Sequence, residues 1–308
     1  MESVAVKVAA FVAIICAGYL AGRSGKFGTK PGATISKIVF TFTLPCAVIH
    51  AFGSADFTPD MLWLIPLGLA CAVVPYFITL LITRDKTRVE RVFFLLTSCG
   101  FNIGCFALPF VQSLFSPEMA VAVCMFDAGN AVMMAGGSYA LTGVFAGAEG
   151  RVEHPLRFIG RRLVTSLPFD SYIVLVLLAL FDVHLPQAIV DFTEPMASAN
   201  AFLAMLMLGF MVSFSVDADK LRNVAKLIAL RLAYAAVLGA LIFALTPFDY
   251  TMHVVLLMLL FAPSSALSPM FTMMSKGDEG LAGLATALTI VTGTVAATAI
   301  VLLSGAAG

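Results

Sequence analysis

Basic residues fall in every second gap between ten apolar runs of this 308-residue chain, and that alternation constrains its fold more than any other feature. Arg23, Lys26, Lys30 and Lys37 follow the first run. Arg84, Lys86, Arg88 and Arg91 follow the third, and Arg151, Arg157, Arg161 and Arg162 the fifth. Lys220, Arg222, Lys226 and Arg231 follow the seventh, Lys276 follows the ninth, and Lys7 alone lies elsewhere. The intervening gaps carry Asp56, Asp60, Glu118, Asp182, Asp191, Glu194 and Asp249 without a lysine or arginine. Cationic side chains mark the cytoplasmic ends of membrane spans. One span missed or invented would break the pattern, so the charges predict ten spans with both termini on the non-cytoplasmic face.

The runs lie near 3–22, 33–53, 60–83, 89–115, 117–146, 160–182, 187–215, 224–246, 252–274 and 280–304, each long enough for the roughly 20 residues that a spanning helix needs. With 60% of residues hydrophobic and 12% charged, no water-soluble domain is left over. Met1-Glu2-Ser3 is no basic leader, so the first run reads as a retained span rather than a signal peptide. The balanced net charge gives no argument for nucleic acid. All six cysteines fall in the first five runs, where they read as small packing residues rather than disulfides or metal ligands.

The longest internal connection, 147–157, divides the spans into five and five. Five is odd, so a duplicated second half enters the membrane with opposite polarity. The predicted fold is therefore an all-α integral membrane protein of two inverted five-helix repeats, residues 1–150 and 151–308, with broken crossover helices at spans four and nine.

Those breaks are the candidate site. Asn102, Gly104 and Pro109 interrupt the fourth run, and Pro263, Ser264, Ser265, Ser268 and Pro269 the ninth. Proline withholds a helical hydrogen bond, and freed backbone at membrane depth must line protein or water. Proline and glycine also merely kink membrane helices; two breaks at the fourth position of each half favour a binding role. We assign Asn102, Gly104, Pro109, Pro263, Ser264, Ser265 and Pro269 to substrate binding. The run assignments put no lysine or arginine at mid-depth, leaving an anion to be held by helix dipoles and neutral donors.

Asp127 is the one acidic residue expected near the middle of a span, and Asn130 shares its helical face. Ionisable groups at that depth belong to polar pathways. Asp127 is a candidate to take a proton, or with Asn130 to cage sodium; the competing reading is a buried carboxylate that only ties helices together. Pro45 reads as a structural kink and Trp63 as an interfacial anchor.

Gly18-Tyr19-Leu20, Leu44-Pro45, Asn102 with Gly104 and Pro109, Leu185-Pro186, Leu203-Ala204 with Gly209, and Pro263 with Pro269 follow one another in an order that resembles the auxin efflux carrier family across nearly the whole chain. Two positions depart from the family's pattern: Phe202 stands where a proline often precedes Leu-Ala, and Leu167-Pro168 where Asn-Pro often opens the sixth span. The resemblance implies a scaffold and a transport subdomain, each drawn from both repeats, and a crossover of helices four and nine in the latter. It also implies small organic anions moved by an elevator-like displacement.

The expected function is secondary active transport of a small carboxylate, malonate-like, malate-like or auxin-like, coupled to a proton or sodium ion, in a bacterial inner membrane. The alternatives are a sodium-coupled carrier of the bile acid symporter type and a membrane channel or sensor. No phosphate-binding loop suggests an ATP-driven pump, no cofactor or metal is expected, and an enzyme is disfavoured because no histidine sits beside the mid-depth serines. The expected partners are substrate, coupling ion and lipid, with a homodimer left open.

Overall fold

The computed structural model describes residues 2–28, 31–55, 57–147, 153–181, 183–212 and 218–307. Every regular element among them is helical. Lys30, Asp56, Arg151, Asp182, part of the dividing connection and the expected end of the seventh span lie outside the described residues.

The first expected span is α1 (Glu2–Arg23). The second is α2 (Pro31–Ile38) and α3 (Leu44–Gly53), joined by a π turn, Val39–Thr43. A 3-10 turn, Pro59–Trp63, leads into α4 (Leu64–Ile82) as the third. The fourth is α5 (Arg88–Ser98), a break, then a π turn, Ile103–Ala107, running into α6 (Leu108–Leu114). The fifth joins α7 (Pro117–Val132) to α8 (Ser138–Phe145) across a π turn, Met133–Gly137. Then come α9 (Pro155–Leu163), α10 (Leu167–Leu180), α11 (Gln187–Met211) and α12 (Ala218–Leu245). Last are α13 (Tyr250–Leu260), α14 (Ser268–Met274) and α15 (Glu279–Ser304).

Among the described residues seven helical stretches are long and apolar enough to cross a membrane, and nine if two bent pairs each count as one span. The pairs bend by 47° between α5 and the segment Ile103–Leu114, and by 78° between α9 and α10. The expected ninth span consists of α13 and α14, each too short to cross alone. The expected sixth span is shorter than its apolar run: Arg161 and Arg162 fall in the last turn of α9, Pro168 restarts the helix, and α9 turns away from α10.

Two of the π turns share a cause. Pro45 and Pro109 each stand at the second residue of the following helix, and in each case the residue before the proline donates to the carbonyl five residues back, Leu44 to Val39 and Leu108 to Ile103. A proline has no N–H and its ring crowds the carbonyl four residues earlier, so one widened turn relieves both demands.

Direct contacts gather the basic connections at one end. Arg88 Nη2 donates to the Ser275 carbonyl at 3.3 Å, Lys220 pairs with Asp278 at 2.9 Å, and the Arg162 guanidinium lies 5.2 Å from the Phe271 ring centroid. At the opposite end Lys7 donates to the Ser113 carbonyl at 2.6 Å and the Tyr250 hydroxyl to the Ser304 carbonyl at 3.2 Å. The start of α5 and the end of α14 thus meet at the basic end, and the start of α13 meets the end of α15 away from it.

Small residues bring the long helices together, as lipid-embedded bundles need. A Cβ on Gly209 of α11 would collide with the Ile15 carbonyl of α1, and one on Gly129 of α7 with the Ile65 carbonyl of α4. The aromatic core beside the fourth span includes Phe11 and Phe110, edge to face at 4.9 Å between ring centroids.

Candidate functional site

The break after α5 opens at Cys99, whose backbone is extended (φ −106°, ψ 160°), and passes through Gly100 at φ +73°, a conformation open to glycine without steric clash. The chain then passes through Phe101 and turns tightly at Asn102 (φ −80°, ψ 72°), where the Ile103 N–H donates to the Phe101 carbonyl at 3.0 Å, before the π turn at Ile103. After α13 a second non-helical stretch carries Ala262, Pro263, Ser264 and Ser265 up to α14, where Pro269 again occupies the second position. The two breaks touch. The Asn102 N–H donates to the Pro263 carbonyl at 2.9 Å, pairing two backbone groups that their own helices leave unused.

Asn130 holds the first break from the side. Its amide Nδ2 donates to the Phe101 carbonyl at 2.8 Å while its Oδ1 accepts the Phe101 N–H at 3.0 Å, so one side chain satisfies both polar groups of an unwound residue. The same Nδ2 donates to Asp127 Oδ1 at 2.9 Å, and Asp127 Oδ2 accepts the Tyr172 hydroxyl of α10 at 2.8 Å. Asn130→Ala should leave the buried Phe101 N–H without a partner and its carbonyl with the Ile103 N–H alone, at a cost of about 1–3 kcal/mol. Thermal unfolding of the detergent-purified protein checks this, and an unchanged melting temperature would contradict the clamp.

The Ser264 hydroxyl shares hydrogen bonds with Thr289 at 3.0 Å and Thr286 at 3.4 Å of α15, and the Ser264 N–H donates to the Thr289 hydroxyl at 3.2 Å. Ser265 Oγ accepts the Leu267 N–H at 3.1 Å, and Ser268 Oγ donates to the Leu96 carbonyl at 2.8 Å. These hydroxyls fasten the second break to its neighbours.

A cavity of about 100 Å³ lies on the basic-end side of the crossing, between the breaks and the bend from α9 to α10. Asn102, Gly104 and Asp127 line it, with Tyr172, Ala266 and Leu267. Of the expected binding residues, Asn102 and Gly104 reach this cavity; Pro109, Pro263, Ser264, Ser265 and Pro269 stand off its wall, and Asn130 acts from behind. Asn102 is 3% exposed and its Nδ2 has no hydrogen-bond partner in the protein. A buried amide left unpaired is costly, and it is satisfied when an acceptor enters. Asp127 is the one charged side chain among the cavity-lining residues.

The sequence reading missed Tyr172, Phe101 and above all Arg231. It counted Arg231 among the cationic anchors of a membrane face, but Arg231 lies near the middle of Lys220–Leu245 and is 8% exposed. Its Nη1 donates to the carbonyls of Thr97, Ser98 and Gly100 at 3.1–3.2 Å, and its Nη2 to that of Ala262 at 2.9 Å. The expectation that no arginine stands at mid-depth is thereby corrected. The signal was its place inside the eighth apolar run, five residues beyond Lys226.

A family model described as "Membrane transport protein" matches residues 3–303. Among curated proteins nothing matches the chain.

Proposed function

We propose, from the premise that this chain belongs to the auxin efflux carrier family of membrane transport proteins, that it is a secondary carrier of a small organic anion. The family is one of transporters and not of enzymes. The reading includes ten spans in two inverted five-helix repeats, with α13 and α14 together as the ninth, and an elevator-like movement of the crossing against a scaffold. It places the basic end in the cytoplasm of a bacterial cell and both termini outside. The cavity then opens to the cytoplasmic half of the membrane.

The unpaired amide of Asn102 beside the cavity carries the proposal. It offers a donor to a carboxylate, next to the first backbone N–H groups of the segment Ile103–Leu114, whose dipole favours negative charge. A cavity of about 100 Å³ suits a short mono- or dicarboxylate such as malonate.

Asp127 sets the terms of entry. Two negative charges about 5 Å apart at an effective dielectric of about 20 repel by about 3 kcal/mol. An anion therefore binds best when Asp127 carries a proton, and proton and substrate cross together. The coupling ion is H⁺ or Na⁺, and the charge of Asp127 favours the proton.

Purified protein in liposomes should take up labelled malonate saturably when an ion gradient is imposed. Asn102→Ala should raise the half-saturating malonate concentration about tenfold, the equivalent of one lost hydrogen bond to a charged group. Absence of saturable uptake for malonate, malate and indole-type acids alike would overturn the carrier reading, and unitary currents in a bilayer would replace it with a channel.

A further inference from the structure

Unwinding two helices at one depth exposes carbonyls as well as N–H groups. The carbonyls of Thr97, Ser98 and Gly100 end the α5 side of the crossing, and that of Ala262 ends the α13 side. Four oxygens converging from two helix C-termini form a cation site, since the negative ends of both dipoles point at it. In broken-helix carriers such unwound carbonyls are where a coupling sodium ion is held.

Here the position is filled from within the chain. The Arg231 guanidinium reaches all four carbonyls, and its Cζ lies 5.4 Å from the Phe101 ring centroid. Arg231 does not line the substrate cavity, and its hydrogen bonds are spent on backbone oxygens. A void of about 20 Å³ adjoins it, walled by Ala262, Thr289 and Thr292, which is room for one water or a small ion beside the side chain.

We propose that Arg231 is a tethered cation: its guanidinium occupies the carbonyl site between the two crossing breaks in place of a coupling sodium ion, so this carrier uses no sodium there. The inference rests on reading the crossing as the transport site, and it narrows the coupling ion of the proposed function to the proton at Asp127. A covalently attached charge is present at every step of the cycle and cannot dissociate. It holds the crossing shut against unfolding whichever way the cavity faces, whereas a sodium ion would tie that integrity to the sodium gradient.

The test needs no substrate. The full chain, purified in detergent, is melted in choline chloride, in sodium chloride and in choline with added guanidinium. The wild type should melt alike in all three. Arg231→Ala should melt roughly 5 °C or more lower in choline and regain most of that loss, saturably, with guanidinium or sodium. Arg231→Lys keeps a tethered charge and should melt between the two, indifferent to sodium. Saturable stabilisation of the wild type by sodium overturns the proposal, as does an Arg231→Ala protein that melts equally low in all three media. If Arg231→Ala cannot be recovered folded, Arg231→Lys decides: saturable stabilisation of that variant by sodium also overturns it. Malonate is absent from every arm, so a failed transport assay and a failed cation assay are separate results.

Discussion

Replacing Asp127 with asparagine is expected to reduce proton-driven accumulation of labelled malonate to simple equilibration, while exchange of internal for external malonate continues. A gradient of one pH unit is worth about 1.4 kcal/mol, or roughly tenfold accumulation for each proton carried. The variant should forfeit all of it. The geometry makes the substitution a clean one. Asp127 accepts the Asn130 amide with one oxygen and the Tyr172 hydroxyl with the other. An asparagine keeps an oxygen for Asn130, and its amide group can donate to the Tyr172 oxygen, so the clamp on Phe101 survives. What disappears is the exchangeable proton and the charge that excludes an anion when the proton is absent. Exchange needs neither, because one anion replaces another without net movement of a proton. Gradient-driven uptake by Asp127→Asn at the wild-type level would remove the carboxylate from coupling and leave it as a tie between α7 and α10.

The place of Asp127 beside the first break was legible because a lone carboxylate in an apolar run is conspicuous. Asn102 and Gly104 were legible for a related reason: a glycine and a proline within one run announce backbone that cannot stay helical, and unwound backbone inside a membrane must face something polar. What surrounds the breaks was not. Hydroxyls beside prolines are all alike in a sequence, yet Ser264 shares hydrogen bonds with Thr286 and Thr289 of α15 while Ser265 Oγ accepts the Leu267 N–H. Nothing in a one-dimensional pattern says which of several polar groups will meet each other across helices. Arg231 shows the same limit with larger consequence. Counting basic residues assigns each to its nearest gap, and Arg231 sits close enough to Lys226 to be swept up with it. Four carbonyls from α5 and α13 make its depth tolerable, and those acceptors exist only once the helices have broken. Likewise the sixth apolar run, 160–182, reads as continuous in sequence, whereas the stretch between Arg162 and Pro168 holds a 78° bend.

A large loss of stability is expected at Gly129, where α7 lies directly against α4. A methyl group there would overlap the Ile65 carbonyl and stand 2.7 Å from the Leu69 nitrogen, and a methyl at Gly68 of α4 would strike the Phe126 carbonyl in return. All of these obstacles are backbone, which cannot swing aside as a side chain can. Gly129→Ala must therefore part the helices or shift them along each other, at a cost of about 1–3 kcal/mol and a fall of roughly 5 °C in melting temperature. Gly129→Leu should prevent recovery of folded protein. The damage is not confined to stability, because Gly129 lies between Asp127 and Asn130. Moving α7 outward draws Asn130 from Phe101 and Asp127 from Tyr172 together, so malonate uptake by Gly129→Ala should fall with its melting temperature. Gly283 of α15 supplies the control: no atom lies within reach of an added methyl there, and helical alanine is favoured over glycine by about 0.5–1 kcal/mol. Gly283→Ala should melt at or slightly above the wild type. If Gly129→Ala behaves like Gly283→Ala, with full transport, then α4 and α7 do not meet backbone to backbone, and the placement of Asp127 and Asn130 against the first break loses its support.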